Sequence, residues 1–146
     1  MTIDIHSRAS MMQLIDWGFP PHTAVISFYP PDSQEPPLDY SALTDRVFRI
    51  ALQPLEIDQL AMHGLTYETY FNEDEALAEF VFAAIRDGYD ILCQCEDGCR
   101  VSAGCAAALR EYFTSDGILI FADYRYHPNQ MIFHKVYNAL WIAGKQ

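Results

Sequence analysis

The sequence has little positive charge: nine Lys and Arg residues stand against twenty Asp and Glu, which gives a net charge of −11. A nucleic-acid surface needs a basic stripe to neutralise phosphates, so we expect no nucleic acid and no anionic membrane as a partner. No apolar run approaches the roughly 20 residues that a membrane span requires. The first residues, Met1 to Asp4, show neither a basic nor an apolar leader segment, so we expect a cytoplasmic protein.

Cysteine is absent outside one stretch of thirteen residues, which contains Cys93, Cys95, Cys99 and Cys105. A secreted disulfide framework spreads its cysteines to connect distant loops. The spacings do not repeat the paired Cys-x2–4-Cys pattern of zinc sites, and no His lies nearby in the sequence. We therefore predict no metal and no cofactor, and interpret the cluster as buried thiols or thiol chemistry. If a regulatory disulfide exists, Cys99 is the better partner for Cys95.

Half of the 146 residues are hydrophobic, which is typical of one packed domain spanning residues 1–146. Predicted strands cover residues 2–6, 23–28, 46–52 and 90–95, and predicted helices cover residues 10–17, 72–87, 102–113 and 129–143. The second helix is expected to begin at an Asn72 N-cap and to stop at Gly88. Residues 29–37 contain four prolines and are expected to form a surface loop. The alternation of strands and helices predicts an α/β fold with a central, largely parallel sheet flanked by helices.

The segment from Cys93 to Gly104 runs from the end of a buried strand through a short loop into a helix N-terminus. Such a connection directs backbone N–H groups and the positive end of the helix dipole at one point, where an anion is stabilised. A cysteine held there, Cys95, is expected to have a lowered pKa and to act as a nucleophile. Gly98 permits a tight turn with positive φ. Ser102 is placed to cap the helix and to donate its hydroxyl toward the thiol.

This segment resembles the phosphate-binding loop of cysteine-dependent protein tyrosine and dual-specificity phosphatases, with Cys95, Gly98 and Ser102 on the family's cysteine, glycine and serine positions. Residues 23–27, the proline-rich loop and residues 126–129 look like the small bacterial and phage branch of that superfamily. The resemblance implies a single-domain tyrosine phosphatase-like fold acting on a phosphorylated protein or a small phosphomonoester. The residues that it implies for phosphate binding are Glu96, Asp97, Gly98, Cys99, Arg100, Val101 and Ser102.

Three features depart from the family pattern. Val101 stands at the position of the arginine that contacts phosphate, and Arg100 lies one place early. Gln94 replaces the usual histidine before the nucleophile. The candidates for general acid are Glu56 and Asp58, neither of which has the family's spacing. We therefore expect a phosphatase-like protein with weak or lost activity, or alternatively an inactive pseudophosphatase that binds an anion or a phosphoprotein.

A second local resemblance is to the Cys-x-x-Gly-x-Arg-Ser loop of rhodanese sulfurtransferases. Cys95, Gly98 and Arg100 fit its first three places, while Ser102 is one place late. In that alternative Arg100 lies inside the anion-binding loop.

Two acids within the loop, Glu96 and Asp97, are interpreted as solvated charges that raise the electrostatic cost of binding a dianion. The direction of the Arg100 guanidinium separates the two function classes. A guanidinium inside the loop favours an enzyme, and one directed away from it favours a binding protein.

Overall fold

The computed structural model describes residues 1–145, in which four parallel strands form one sheet with the order β1-β4-β2-β3. The strands are β1 (Ile3–His6), β2 (Thr23–Tyr29), β3 (Val47–Ala51) and β4 (Asp90–Gln94). The helices are α1 (Arg8–Trp17), α2 (Asp74–Arg86), α3 (Val101–Thr114), α4 (Ile118–Ala122) and α5 (Gln130–Gly144), with single 3-10 turns at Ile57–Gln59 and Ala61–His63. The predicted α/β architecture is confirmed.

The two central strands are buried on both faces, as their continuous apolar runs predict. On one face, Val25 and Leu92 pack with Met11 of α1 and with Tyr40. On the other face, the side chains of β2 and β4 enter a larger core formed with α2, α3 and α5. Because all strands are parallel, their carboxyl ends share one edge of the sheet, where ligand sites of such folds lie.

A buried lysine braces the segment that approaches this edge. Lys135 of α5 donates from Nζ to the carbonyl oxygens of Tyr67, at 2.9 Å, and of Tyr70. The Tyr70 hydroxyl in turn donates to the Gln53 carbonyl at 2.7 Å and accepts the Leu55 N–H at 3.2 Å. Lys135 thus fixes Tyr70, and Tyr70 fixes residues 53–55, so that hydrogen bonds connect α5 to this segment.

Two details differ from the sequence-based expectations. Helix α2 begins at Asp74, and Asn72 is not its N-cap, because a tight turn with Phe71 buried at φ +61° places the next two residues before the helical run. Helix α4 was not predicted. It has only five residues, with Ile118 and Leu119 exposed beside buried Ile120, so it is too short to show a helical period.

None of the helices within residues 1–145 is both long and apolar enough to cross a membrane.

Candidate functional site

The loop that joins β4 to α3 is anchored to its neighbours through the backbone. It begins with Cys95 at the end of β4, and we name residues 95–102 the Cys95 loop. The carbonyl of Glu96 accepts the N–H of Arg8 at 3.2 Å, at the start of α1. The carbonyl of Cys99 accepts the N–H of His127 at 2.8 Å, in the segment before α5. Both contacts hold the loop from outside, through its carbonyl groups.

The Cys95 sulfur is surrounded as the sequence predicts. The residue is 5% exposed, and its Sγ lies 3.0 Å from the Ser102 hydroxyl. The N–H groups of Gly98 and Ser102 donate to Sγ at 3.3 Å and 3.5 Å. One part of the expectation is wrong: Arg100 occupies the N-cap position of α3, and its side chain makes no cap hydrogen bond. The fully buried Ser102 points its hydroxyl at the thiol and does not cap the helix.

Gly98 is required at its position for two reasons. Its φ is +68°, in the left-handed region that side chains disfavour. In addition, a Cβ placed there would lie 2.5 Å from the backbone nitrogen of Ser7, the N-cap residue of α1. The Cys95 loop and the start of α1 therefore pack without room for a methyl group.

The Asp97 carboxylate turns into the loop. Its Oδ1 accepts the backbone N–H of Cys99 at 2.9 Å and lies 3.3 Å from the Cys95 sulfur, which donates its S–H. Its Oδ2 accepts Nε of Arg100 at 3.3 Å. The Asp97 carboxylate therefore accepts hydrogen bonds from three groups of its own loop: a backbone N–H, the thiol and the arginine.

This arrangement sets the protonation of the thiol. Burial raises the pKa of Cys95, and the negative charge of Asp97 adds to it, while the hydrogen bonds from Ser102 and Gly98 act in the opposite direction. The expected lowering of this pKa is therefore wrong. Burial also disfavours ionised Asp97, but hydrogen bonds from the Cys99 N–H and the Cys95 thiol outweigh it and lower the pKa of that carboxyl. At neutral pH the loop thus holds a protonated thiol beside an ionised carboxylate.

A small cleft of about 60 Å³, open to solvent, lies above the thiol. We name it the Cys95 cleft, and its lining residues are Phe28, Tyr29, Pro30, Leu52, Pro54, Cys95, Glu96, Asp97 and Val101. Most of these side chains are apolar, and both charged ones are acids. Val101 is part of the wall.

Some of the predicted site residues do not line the cleft. Arg100 is absent from its lining, and the side chain is 52% exposed and paired with Asp97. Glu56 and Asp58 lie at the exposed 3-10 turn that follows residues 53–55, and neither contributes to the lining. The structure thus gathers the Cys95 loop around the thiol and leaves both candidate acids outside the cleft. Within residues 1–145, no group of three or more His, Cys, Asp or Glu side chains is arranged to hold a metal ion.

Two contacts of the site were not predicted from the sequence. Gln94 is buried, and its Oε1 accepts the hydroxyls of Ser27 and of Tyr40, the latter at 3.1 Å. No sequence signal identifies Tyr40, which lies 54 residues away from Gln94. Asp97 is partly exposed to solvent, as expected, and it also accepts the N–H two residues ahead, at Cys99. Asp favours this local turn, so its type and position were a usable signal.

Solved structures with the same fold are phosphatases and phosphatase-like proteins. The human tyrosine phosphatase-like serine/threonine/tyrosine-interacting protein aligns with a TM-score of 0.60 and 14% identity over 93% of this chain and 87% of that one. The PTP-2 phosphatase of Cydia pomonella aligns with a TM-score of 0.58 and 12% identity, and the alignment covers 94% of this chain and 85% of that one. A leucine-rich repeat and phosphatase domain containing protein from Entamoeba histolytica aligns with a TM-score of 0.55 and 11% identity, and the alignment covers 98% of this chain and 88% of that one.

These comparisons show that the chain has the protein tyrosine phosphatase fold, as its resemblance predicted. No family model matches the sequence, and no curated protein matches it.

Replacing Gly98 by Ala is expected to destabilise the protein more than replacing Gly64 by Ala. Both glycines have φ +68°, but a Cβ at Gly64 meets nothing within 4 Å. Gly64→Ala should therefore lower the free energy of unfolding only by the left-handed backbone strain, about 1 kcal/mol. Gly98→Ala should lower it by about 1–3 kcal/mol more, because the added methyl group meets Ser7. Urea unfolding of the two variants measures the difference. Equal losses in the free energy of unfolding would contradict the prediction, since the backbone at Ser7 would then move away from the new methyl group without loss of stability.

Alkylation of Cys95 by iodoacetamide is expected to be slow at pH 7 and to keep rising above the ordinary pKa of a thiol, because only the thiolate reacts. Asp97→Asn removes the neighbouring charge and should make the reaction severalfold faster at pH 7. Asp16→Asn, an equal charge change on the exposed side of α1, is the control. Mass spectrometry of the Cys95 peptide measures the rates. A fast reaction at pH 7 that Asp97→Asn leaves unchanged would contradict the assigned electrostatics.

Proposed function

We propose that this protein is a phosphatase-fold binding protein that does not turn over phosphomonoesters. The observation that carries the proposal is the Asp97 carboxylate, which takes the Cys99 N–H and the Arg100 guanidinium beside the Cys95 thiol. In a working cysteine-dependent phosphatase such groups are needed for the oxygens of the phosphate. Here an ionised side chain of the same loop uses them.

Electrostatics supports this proposal. Two unit charges 4 Å apart interact by about 4 kcal/mol at an effective dielectric constant of 20. A phosphate above Cys95 would meet Asp97 and Glu96, both of which line the cleft. The pairing of Asp97 with Arg100 and of Glu96 with Arg8, together with the partial exposure of both carboxylates, reduces this repulsion, so the two acids disfavour a phosphate dianion by less than the value for bare charges.

The groups needed for bond breaking are also displaced. The raised pKa of Cys95 keeps the nucleophile protonated. The Val101 side chain cannot donate hydrogen bonds to the transition state, and losing one such donor typically costs about 10²–10³ in rate. Glu56 and Asp58 do not line the cleft, so neither is positioned to protonate a leaving group. Nucleophile, electrostatic stabilisation and general acid are weakened together.

A second candidate function is a weak phosphatase, favoured by the contacts that remain on Cys95 from Ser102 and Gly98. The thiolate would form a bond to phosphorus as the ester P–O bond breaks. Glu56 or Asp58 would give the leaving oxygen its proton, and water would then hydrolyse the S–P bond. This route requires Asp97 to leave the loop and Glu56 or Asp58 to move into the cleft. The sulfurtransferase alternative needs Arg100 inside the loop, and the pairing of Arg100 with Asp97 does not favour it.

The proposal includes a cytoplasmic location, supported by four free cysteines. It also retains membership of the small bacterial and phage branch, which rests on the sequence resemblance alone.

Hydrolysis of p-nitrophenyl phosphate between pH 5 and 8 tests the proposal. We expect the wild-type protein to show no turnover above the Cys95→Ser variant. A triple variant, Asp97→Ala, Arg100→Ser and Val101→Arg, removes the internal carboxylate and returns an arginine to the family position. It should gain activity by about 10²-fold or more, and adding Cys95→Ser should abolish that gain.

The opposing result is wild-type turnover that Cys95→Ser abolishes, which would establish a working phosphatase. Thermal unfolding of each variant confirms that differences in rate come from the loop and not from loss of the fold.

A further inference from the structure

The walls of the Cys95 cleft are suited to an uncharged ring. Phe28, Leu52, Pro54 and Val101 contribute apolar surface to this shallow cleft, which is open to solvent, so that a guest ring packs on the walls and is only partly enclosed. Burying apolar area against such walls is favourable by about 25 cal/mol per Å². The Tyr70 hydrogen bonds hold residues 53–55 in place, so the wall at Pro54 is preformed.

The floor of the cleft accepts hydrogen bonds. A carboxylate has about four acceptor sites. In the described part of the chain, Asp97 Oδ2 accepts one hydrogen bond, from Arg100 at 3.3 Å, while Oδ1 accepts from Cys99 and Cys95. Asp97 is therefore able to accept one more donor from a guest in the cleft.

We propose that the Cys95 cleft binds the side chain of an unphosphorylated tyrosine on a partner protein, and that phosphorylation of this tyrosine abolishes binding. The ring packs on the apolar walls, and the phenol O–H donates to Asp97. The selectivity is thus the reverse of that of a phosphotyrosine phosphatase. This inference rests on the proposed function, because a hydrolase needs the phosphorylated form to bind.

A cationic guest suits the cleft less well. The charge of Asp97 is already partly balanced by Arg100, and Glu96 lies 3.6 Å from the Arg8 guanidinium. A lysine or arginine would therefore gain little attraction and would lose its water against apolar walls. A phenylalanine fits the walls but leaves the acceptor on Asp97 unused, and a phosphotyrosine brings two negative charges to two carboxylates.

Amide NMR titrations of the full chain test the inference with four probes: the N-acetyl amides of tyrosine, phenylalanine, phosphotyrosine and lysine. We expect tyrosine amide to shift the Gly98, Cys99 and Ser102 signals and to bind about ten- to a hundredfold more tightly than phenylalanine amide, the usual range for a hydrogen bond to a charged group. The phosphotyrosine and lysine probes should bind at least tenfold more weakly than tyrosine amide, by the charge arguments above.

Variants sharpen the test. Asp97→Ala should remove the preference for tyrosine over phenylalanine and allow the phosphotyrosine probe to bind. Asp16→Asn, which changes the net charge equally on exposed α1, should leave the order of affinities unchanged. Thermal unfolding checks that both variants are folded.

The outcomes separate the two proposals. Equal or tighter binding of phosphotyrosine amide without release of phosphate overturns the tyrosine inference and leaves the non-hydrolytic function standing. Tightest binding of lysine amide, or no shift with any probe, overturns the inference in the same way. Release of phosphate that depends on Cys95 overturns the proposed function itself.

Discussion

The Asp97 carboxylate lies inside its own loop, 2.9 Å from the Cys99 nitrogen and 3.3 Å from the Cys95 sulfur, and the chemistry of the site depends on these contacts. An ionised oxygen in this position uses a loop N–H that an external anion would need. It also favours the protonated thiol and holds Arg100 at the exposed rim of the loop. The proposed loss of anion binding, nucleophile activation and charge stabilisation rests on this one side chain.

The scaffold around this side chain nevertheless has the protein tyrosine phosphatase fold. The loop after β4 is fixed by the close approach of Gly98 to Ser7 and by the hydrogen bond from His127 to the Cys99 carbonyl. These contacts involve the backbone and do not depend on the sign of charge inside the loop. The same fold can therefore keep the loop in place while its electrostatics change, so function has to be argued from the site and not from the fold.

The sequence predicted those parts of the structure that depend on local patterns. The four parallel strands, the long helices, the positive φ of Gly98 and the contact of Cys95 with Ser102 follow from hydrophobic periodicity and from the strand–loop–helix spacing. The direction of the Cys95 pKa did not follow, because it depends on burial and on the rotamer of Asp97. The bracing of the cleft wall by Lys135 joins residues 65 positions apart and leaves no mark in a local pattern.

The most direct measurement of the central claim is calorimetric titration of the protein with inorganic phosphate at neutral pH, in the wild type and in Asp97→Ala. The account predicts no detectable binding to the wild type, because the internal carboxylate holds the loop groups and repels the ligand. It predicts binding to Asp97→Ala, in which the Cys99 N–H and the Arg100 guanidinium are released. Equal phosphate affinity in the two proteins would contradict the account, since Asp97 would then neither occupy the hydrogen-bond donors of the loop nor repel the phosphate.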